Sequence, residues 1–124
     1  MVEFVLVAPV LILLIFGLVQ FGILFNNYLA LTDAVRNGAR QAAVSRTLPN
    51  PEGLATNRVT KAAGNLRIGD LQVSVDPYNP ANGTRTWVQG GDVTVKATYP
   101  YSISLLGLVV KSGRMTSQTT ERVE

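Results

Sequence analysis

The stretch that decides the fold is MVEFVLVAPVLILLIFGLVQFG, which covers residues 1–22. The run without a charged residue extends from Phe4 to Thr32. A helix rises about 1.5 Å per residue, so about 20 residues cross a hydrocarbon layer of about 30 Å. The sequence therefore predicts a membrane span, or a helix buried inside a helical assembly, over about residues 4–32, and the pattern is strongest from Phe4 to Val19.

A signal peptide and a buried core helix both fit this segment less well. A secretory signal peptide has a basic start and a shorter apolar core, whereas this segment carries Glu3 near its start and is longer. A helix that is apolar all round and lies in a protein core must be covered by other elements on every side. A chain of 124 residues has too few elements for that.

Glu3 is the one carboxylate of the apolar segment. An unpaired charge costs roughly a few kcal/mol inside lipid. Glu3 therefore either stays solvated at the level of the lipid headgroups or requires a cation inside an assembly. The most direct such cation is the α-amino group of a neighbouring copy, and the residues alone leave both interpretations open.

Pro9 and two glycines are the other features of this segment. Pro9 removes a backbone hydrogen bond and crowds the carbonyl group of Val5, which a packed group of membrane helices tolerates. Gly17 and Gly22 are positions where the backbone of a neighbouring helix could approach closely. Their spacing is not the Gly-x-x-x-Gly of known helix dimers, so the pattern favours helix packing without specifying a partner.

The helical pattern continues beyond the apolar run, over about residues 28–46. Its apolar positions recur at i, i+3, i+4 spacing and form one narrow face of mostly small residues, namely Tyr28, Leu31, Val35, Ala39 and Ala42. Pro49 and Pro51 then end the pattern, because proline cannot continue a helix. One long helix is therefore predicted to reach about Ser45, and residues 1–47 form the first structural unit.

Residues 48–124 are expected to form a small extracytoplasmic head. A second helix is predicted from about Leu54 to Leu66, where apolar residues again recur at helical spacing. After Ile68 the apolar period changes to two, which is typical of strands.

Several short strands are predicted in this second half. They are LQVSV (71–75), a short strand around Trp87 in TRTWVQ (84–89), DVTVKATY (92–99) and the polar RMTSQTTERV (114–123). Gly90 and Gly91 are predicted to turn a hairpin between the second and third of these strands, and the apolar run at 100–113 is predicted to be a loop or a short helical turn. The expected class is α+β, with a three- to four-stranded, mostly antiparallel sheet covered by the amphipathic half of the long helix.

The composition excludes several kinds of site. The chain has no Cys and no His, which rules out disulfides, metal sites with Cys or His ligands, and His-dependent catalytic triads. No nucleotide-binding or nucleophile motif is present. Eleven basic and eight acidic residues are interspersed, unlike the basic cluster of a nucleic-acid site. We expect no enzymatic activity, no catalytic, cofactor or metal site, and no nucleic-acid partner.

The tripeptide Asn82-Gly83-Thr84 matches the acceptor pattern for N-glycosylation. An Asn-Gly pair between strands is also typical of a turn. We favour the turn and keep Asn82 as a secondary candidate for glycosylation.

The segment VEFVLVAPVLILLIFGLVQFG, followed by NNYLALTDAVRNGARQAA, resembles the N-terminal region of TadE-like proteins. These are pseudopilin-class proteins of tight-adherence (Flp) type IV pili. The residues that carry the resemblance are Val2-Glu3-Phe4, Pro9, Phe16-Gly17, Phe21-Gly22 and Asn37-Gly38-Ala39-Arg40. The segment DVTVKATYPYSISLLGLVV and the strand ending TTERVE look similar to the same family, so the resemblance covers about residues 1–46 and 92–124.

The resemblance implies a pilin-like subunit in the bacterial cytoplasmic membrane with its C-terminal head outside, or in an extracellular pilus. It also implies that a prepilin peptidase removes a short basic leader and that pilus assembly machinery is a partner. In type IV pilins a glutamate at the fifth mature position serves N-terminal processing or subunit docking. Glu3 matches that residue but is third, so Met1 is not expected to be the natural mature end. The positive-inside rule favours the opposite orientation, because Arg36, Arg40 and Arg46 follow the apolar run.

These observations predict a structural subunit that assembles through its apolar helix with copies of itself or with related pilins, after a stage in membrane lipid. The candidate assembly residues are Glu3, Phe4, Pro9, Phe16, Gly17, Phe21, Gly22 and Phe25. The alternative is a single-span membrane protein whose outer domain binds a partner or ligand and never polymerises.

Overall fold

The computed structural model describes residues 1–124. The helices are α1 (Val2–Val44) and α2 (Pro51–Ala62), followed by a single turn of 3-10 helix (Ile68–Asp70). The strands are β1 (Gln72–Tyr78), β2 (Asp92–Leu105) and β3 (Leu108–Arg122). The expected α+β class is confirmed, with a long apolar N-terminal helix, a short helix and a three-stranded antiparallel sheet.

The C-terminal third of α1 forms the centre of the hydrophobic core. Its buried residues lie on one face, where four of the five predicted positions are found. They are Leu31, Ala34, Val35, Gly38, Ala39, Ala42 and Ala43. Tyr28, the fifth predicted position, is 43% exposed. Because most of these side chains are small, α2 and the strands β2 and β3 all pack against this one helix.

The closest approach between the two helices is at Gly38. A Cβ atom at this position would overlap the Cγ2 atom of Val59 and would lie 3.3 Å from the carbonyl oxygen of Ala55. Val59 and Ala55 are fully buried residues of α2. The absence of a side chain at Gly38 therefore sets how near α2 can lie to α1.

The start of α2 differs from the prediction. The helix begins at Pro51, three residues before the predicted start at Leu54. Proline is favoured at the first helical position because its missing N–H would have no partner there. Asn50 precedes it in the left-handed conformation, with φ 55°, and its Oδ1 accepts a hydrogen bond of 3.0 Å from the backbone N–H of Gly53. This side-chain cap, which periodicity does not reveal, fixes the start of the helix.

The end of α2 also differs from the prediction. The helix ends at Ala62, not at Leu66. Leu66 is nevertheless buried, because its backbone N–H bonds to the carbonyl oxygen of Ala63 at 2.7 Å and turns the chain back toward the core. Gly64 lies inside this turn, consistent with the low helix propensity of glycine.

The sheet has the strand order β1-β2-β3, and both pairs are antiparallel. β1 pairs with β2 from Gln72↔Thr98 to Tyr78↔Asp92, and β2 pairs with β3 from Asp92↔Arg122 to Leu105↔Leu108. One face packs against the helices, with β2 and β3 against α1 and β1 against α2. This face contributes the buried residues Val75, Val93, Val95, Ala97, Met115 and Ser117. The other face is mostly polar, as expected for an antiparallel sheet with one solvated side.

The predicted strand around Trp87 is wrong, and so is the hairpin turn at Gly90 and Gly91. Residues 84–89 contain no strand. The predicted hairpin with β2 is excluded because both edges of β2 are occupied by β1 and β3. The glycines instead bond to the end of the chain. The Gly90 N–H donates to the Val123 carbonyl oxygen, and the Val123 N–H donates to the Gly91 carbonyl oxygen, each at 2.8 Å.

The predicted loop at residues 100–113 is also wrong. β2 and β3 continue through this segment as a two-stranded hairpin. The turn residues Leu106 and Gly107 both have positive φ, 51° and 84°, which is the geometry of a type I′ turn. The register shifts between Ile103 and Ser104, and a bulge of this kind breaks the alternation that would have revealed the strand.

We predict that Gly38→Ala destabilises the protein. The overlap with Val59 outweighs the better helix propensity of alanine, and we expect a net loss of about 1 to 2 kcal/mol. The measurement is denaturant unfolding of the full chain in detergent, followed by the fluorescence of Trp87.

Gly69→Ala is the matched control for this substitution, since a Cβ atom at Gly69 meets nothing within 4 Å. It should leave the unfolding midpoint unchanged. Adding Val59→Ala to Gly38→Ala should cost less than the two single effects together, because it removes the overlapping atom. Equal destabilisation by the two glycine substitutions would contradict the close packing of α1 on α2.

Candidate assembly surface

The largest exposed feature of the molecule is the first half of α1. We call residues Val2–Phe25 the apolar shaft. Every large apolar side chain of the shaft is exposed except that of Leu24, and Phe4 reaches 76%. α1 is the one helix long and apolar enough to cross a membrane, and none of its most apolar 18-residue window is buried.

The accessible surface measures how extended this arrangement is. The chain exposes 8346 Å², whereas a compact monomer of 13.3 kDa exposes about 6,450 Å². The excess of about 1,900 Å² is more than the about 800 Å² that one partner buries in a standard interface. A surface this apolar requires lipid or other protein to cover it.

Five of the eight candidate assembly residues lie on one side of the shaft. Residues five full turns apart fall on the same side of a helix with 3.6 residues per turn. Phe21 therefore lies in line with Glu3, and Gly22 in line with Phe4. Phe25, one turn beyond Phe21, belongs to the same side.

The other three candidates do not share that side. Pro9 and Phe16 are about two turns apart and lie together, but Phe16 is about two and a half turns from Phe25 and faces the opposite way. Gly17 lies between the two groups. The candidate residues thus encircle the shaft, and this distribution suits a helix enclosed on all sides better than a single docking face.

Glu3 lies in the first turn of α1 and is exposed. A carboxylate in the first turn is favoured there by the helix dipole. Glu3 makes no ion pair, since the one salt bridge of the structure joins Arg85 and Asp76 at 2.6 Å. Its carboxylate is therefore available to a group outside the monomer.

Pro9 lies inside α1, which remains helical on both sides of it. Gly17 and Gly22 face open space, because a Cβ atom added at either position meets nothing within 4 Å. Neither glycine is required by the packing of the monomer.

A groove of about 720 Å³ opens where the shaft meets the head, between α1 and the β2–β3 hairpin. Its polar lining includes Gln20 and Asn27 from the helix and Arg67, Asp70 and Arg114 from the head. We call this cleft the joint groove. The joint groove was not predicted from the sequence, because its two walls come from segments that are about 80 residues apart in the chain.

An apolar pocket of about 250 Å³ adjoins the joint groove. It is lined by Phe21, Leu24, Phe25, Tyr28, Tyr101 and Met115. Two of the candidate assembly residues, Phe21 and Phe25, therefore border the head as well as the open shaft.

A second exposed apolar feature was likewise not predicted from the sequence. The turn of the β2–β3 hairpin carries four apolar side chains that are 64–75% exposed, namely Leu106, Leu108, Val109 and Val110. We call residues Leu105–Val110 the hairpin tip. The sequence feature that could have indicated this hairpin is Gly107, which lies at the centre of an apolar run. Glycine at the second position of a two-residue turn is typical of a tight hairpin.

Asn82 lies in an exposed turn between β1 and β2. Its Oδ1 accepts hydrogen bonds from the backbone N–H and the hydroxyl group of Thr84, at 3.2 and 2.7 Å. The backbone bridge between Asn79 and Thr84 closes the same turn. No group of three acidic side chains lies together in a way that could hold a metal ion.

Comparison with known proteins gives one match. Residues 1–40 match the family model TadE, described as TadE-like protein. No curated protein and no solved structure matches the chain. The matched residues contain the whole apolar shaft and the first part of the buried face of α1. Over residues 1–40 the match confirms the resemblance to TadE-like proteins inferred from the sequence. The resemblance of residues 92–124 stays a prediction.

Proposed function

We propose that this protein is a structural, pilin-like subunit of a type IV (tight-adherence-like) pilus or a related extracellular filament. The apolar shaft is inserted in the membrane first and is then covered by shafts of neighbouring subunits. The observation that carries the proposal is the contrast within α1, which is apolar and mostly exposed in its first half and packed in the core in its second half.

The rigid junction between these halves supports a role in assembly. α1 is one unbroken helix from Val2 to Val44, so movement of the shaft is transmitted directly to the head. Leaving lipid for a protein bundle yields little hydrophobic gain, because lipid tails are as apolar as the side chains. Close packing at small residues and pairing of polar groups must therefore provide the stabilisation.

Glu3 is the polar group that we assign to this pairing. In lipid or in a bundle its carboxylate requires a cation, and the monomer supplies none. The α-amino group of a neighbouring subunit is of the right charge and lies at the same end of α1. Such a pair would fix the axial position of one shaft relative to the next.

The proposed topology places the head outside the cytoplasmic membrane. The TadE-like match of the shaft supports it, and an outer head is what a surface filament requires. Prepilin peptidase and the pilus assembly machinery are the further partners of this proposal.

The joint groove is the observation that favours a second candidate function. A cleft of about 720 Å³ lined by two arginines and an aspartate could bind a partner or ligand in a single-span protein that never polymerises. The two functions differ in their dependence on Glu3, which lies at the far end of the shaft from the groove.

We predict that Glu3→Ala abolishes incorporation into filaments without preventing membrane insertion. The substitution leaves a neighbour's cation buried and unpaired, which costs a few kcal/mol, and each 1.4 kcal/mol lowers assembly about tenfold. The measurements are electron microscopy of sheared surface material, co-purification of tagged and untagged copies, and extraction of membranes with carbonate.

Glu52→Ala is the matched control, because Glu52 is a glutamate in the first turn of α2, on the head. It should leave assembly unchanged, and Glu3→Asp should restore part of what Glu3→Ala loses. Normal filament incorporation of Glu3→Ala would reject the pairing. Absence of the unsubstituted protein from sheared filaments and from co-purification would instead favour the non-polymerising alternative.

We further predict that Gly22→Leu and Gly17→Leu impair assembly without impairing the monomer. Both positions are open in the monomer, so the unfolding midpoint in detergent should not fall. If neighbouring helices approach there, the added side chains cost about 1 to 3 kcal/mol at each contact, and co-purification should drop about tenfold or more.

Val19→Leu is the control for these glycine substitutions. Val19 is an exposed position of the same part of the shaft, and the change adds one methylene without filling a glycine site. Unimpaired assembly of both glycine variants would show that neighbouring backbones do not approach at either position.

A further inference from the structure

We propose that the hairpin tip is a second membrane contact, which inserts into the head-side leaflet of the bilayer beside the shaft. This inference rests on the proposed membrane stage of the function and adds a site that the TadE match, which ends at residue 40, does not cover.

The hairpin extends beyond the rest of the sheet. β1 pairs with β2 only as far as Gln72↔Thr98, whereas β2 and β3 continue to pair with each other to Leu105↔Leu108. The last part of β2 is therefore an arm of two strands that projects from the head.

The arm points along α1 toward the shaft. The C-terminus of the chain lies beside the start of β2, where Arg122 pairs with Asp92. It is held at the C-terminal end of α1, because the Glu124 N–H donates to the Ala43 carbonyl oxygen at 3.1 Å. Tyr101, by contrast, lines the same pocket as Leu24. Asp92 to Tyr101 spans about 30 Å of strand, and Ala43 to Leu24 spans about 28 Å of helix. β2 thus runs nearly antiparallel to α1.

The same spacing gives the depth of the tip. Leu105 lies four residues beyond Tyr101, which is about 13 Å of strand or about nine residues of helix. The hairpin tip therefore lies at about the level of Ile15, within the apolar shaft. If the shaft occupies the hydrocarbon layer, the tip lies at the depth of that layer.

The arm carries tyrosines and basic residues where it is expected to cross the membrane–water interface. Tyr28, Tyr99 and Tyr101 lie near the joint groove and its adjoining pocket, and tyrosine is enriched at membrane–water interfaces. Lys111 and Arg114 follow the tip on β3 and are exposed, at a position where their long side chains can reach the headgroups. The tip itself carries no charge.

Leu106 gives an independent indication that an apolar side chain is needed at the tip. Its φ of 51° lies in the left-handed region, where Asn, Asp or Gly is favoured and an aliphatic residue is strained. The side chain is 70% exposed, so packing inside the protein compensates little of this strain. A strained residue of this kind suggests a functional constraint, and burial in lipid supplies one.

The tip is expected to lie deepest in the hydrocarbon, and the part of the arm between the tip and Tyr101 lies closer to the headgroups in the same leaflet. Beyond Thr98 the outer edge of each strand has no partner strand, and unpaired backbone groups are costly in lipid. The exposed apolar side chains of Leu106, Leu108, Val109 and Val110 must offset this cost.

The test uses the absence of cysteine from the chain, which allows a single label at any position. The full chain carries Val109→Cys, Val10→Cys or Ala81→Cys, each labelled with the fluorophore NBD. Val10 reports the shaft, and Ala81 lies in the exposed connection after β1, at the end of the sheet away from the tip. Each protein is reconstituted at one copy per nanodisc of phosphatidylethanolamine and phosphatidylglycerol.

We expect the Val109 label to emit at shorter wavelength than the Ala81 label and to be quenched by nitroxide lipids, whereas the Ala81 label is not. A Val109 label that matches the Ala81 label in both readouts would overturn the proposal, whatever the Val10 label shows. Loss of quenching at Val10 alone would instead reject the membrane stage of the proposed function. A blue shift at Val109 that appears only at several copies per disc, without lipid quenching, would assign the tip to a second copy and would also overturn the proposal.

Leu106→Asn supplies a variant that should still fold, because asparagine suits the left-handed turn better than leucine. It should reduce lipid quenching of the Val109 label and leave that of the Val10 label unchanged. Leu48→Asn, at an exposed leucine near the opposite end of the head, is the control. Unchanged quenching at Val109 in Leu106→Asn would contradict a role for this side chain in insertion.

Discussion

The close packing of α2 and the sheet on the small-residue face of α1 is the constraint on which the rest of the structure depends. Gly38 lets Val59 and Ala55 approach the helix backbone, and this contact anchors the head to the second half of α1. The first half then projects with no cover of its own. One continuous helix therefore lies partly in the core of the head and partly outside it. The boundary is where the apolar side chains, confined to one face in the second half, come to cover all sides of the helix.

The sheet continues the same division. Its β1–β2 part packs in the core, whereas the β2–β3 arm leaves the core and extends beside the shaft. The joint groove lies between the arm and the shaft, and polar and basic side chains line it. Both the helix and the arm thus carry polar side chains at the joint groove and exposed apolar side chains beyond it. This similarity between two separate segments supports a membrane stage.

Local periodicity was enough to predict some elements but not others. The apolar run and the small-residue face predicted α1 almost to its end, because every signal for it lies within a few turns of helix. The start of α2 depends on a side-chain cap at Asn50, and the segment around Trp87 depends on which strand edges are free, so neither follows from alternation. The hairpin was missed because a bulge near Ile103 disturbs its pattern. The candidate residues of the shaft could be identified from the sequence. Their distribution around the shaft could be described only once the bounds of α1 were known. The joint groove could not be predicted, because it forms only in the tertiary fold.

The central claim is that the apolar shaft is covered by copies of itself. The most direct measurement is disulfide cross-linking in cells that assemble the filament, with single cysteines placed along residues 2–25 and, as controls, at Lys96 and Gln118 on the exposed face of the sheet. The account predicts cross-linked dimers at positions on more than one side of the shaft, with yields that depend on Glu3, and none at the two sheet positions. Absence of cross-links along the whole shaft would contradict it.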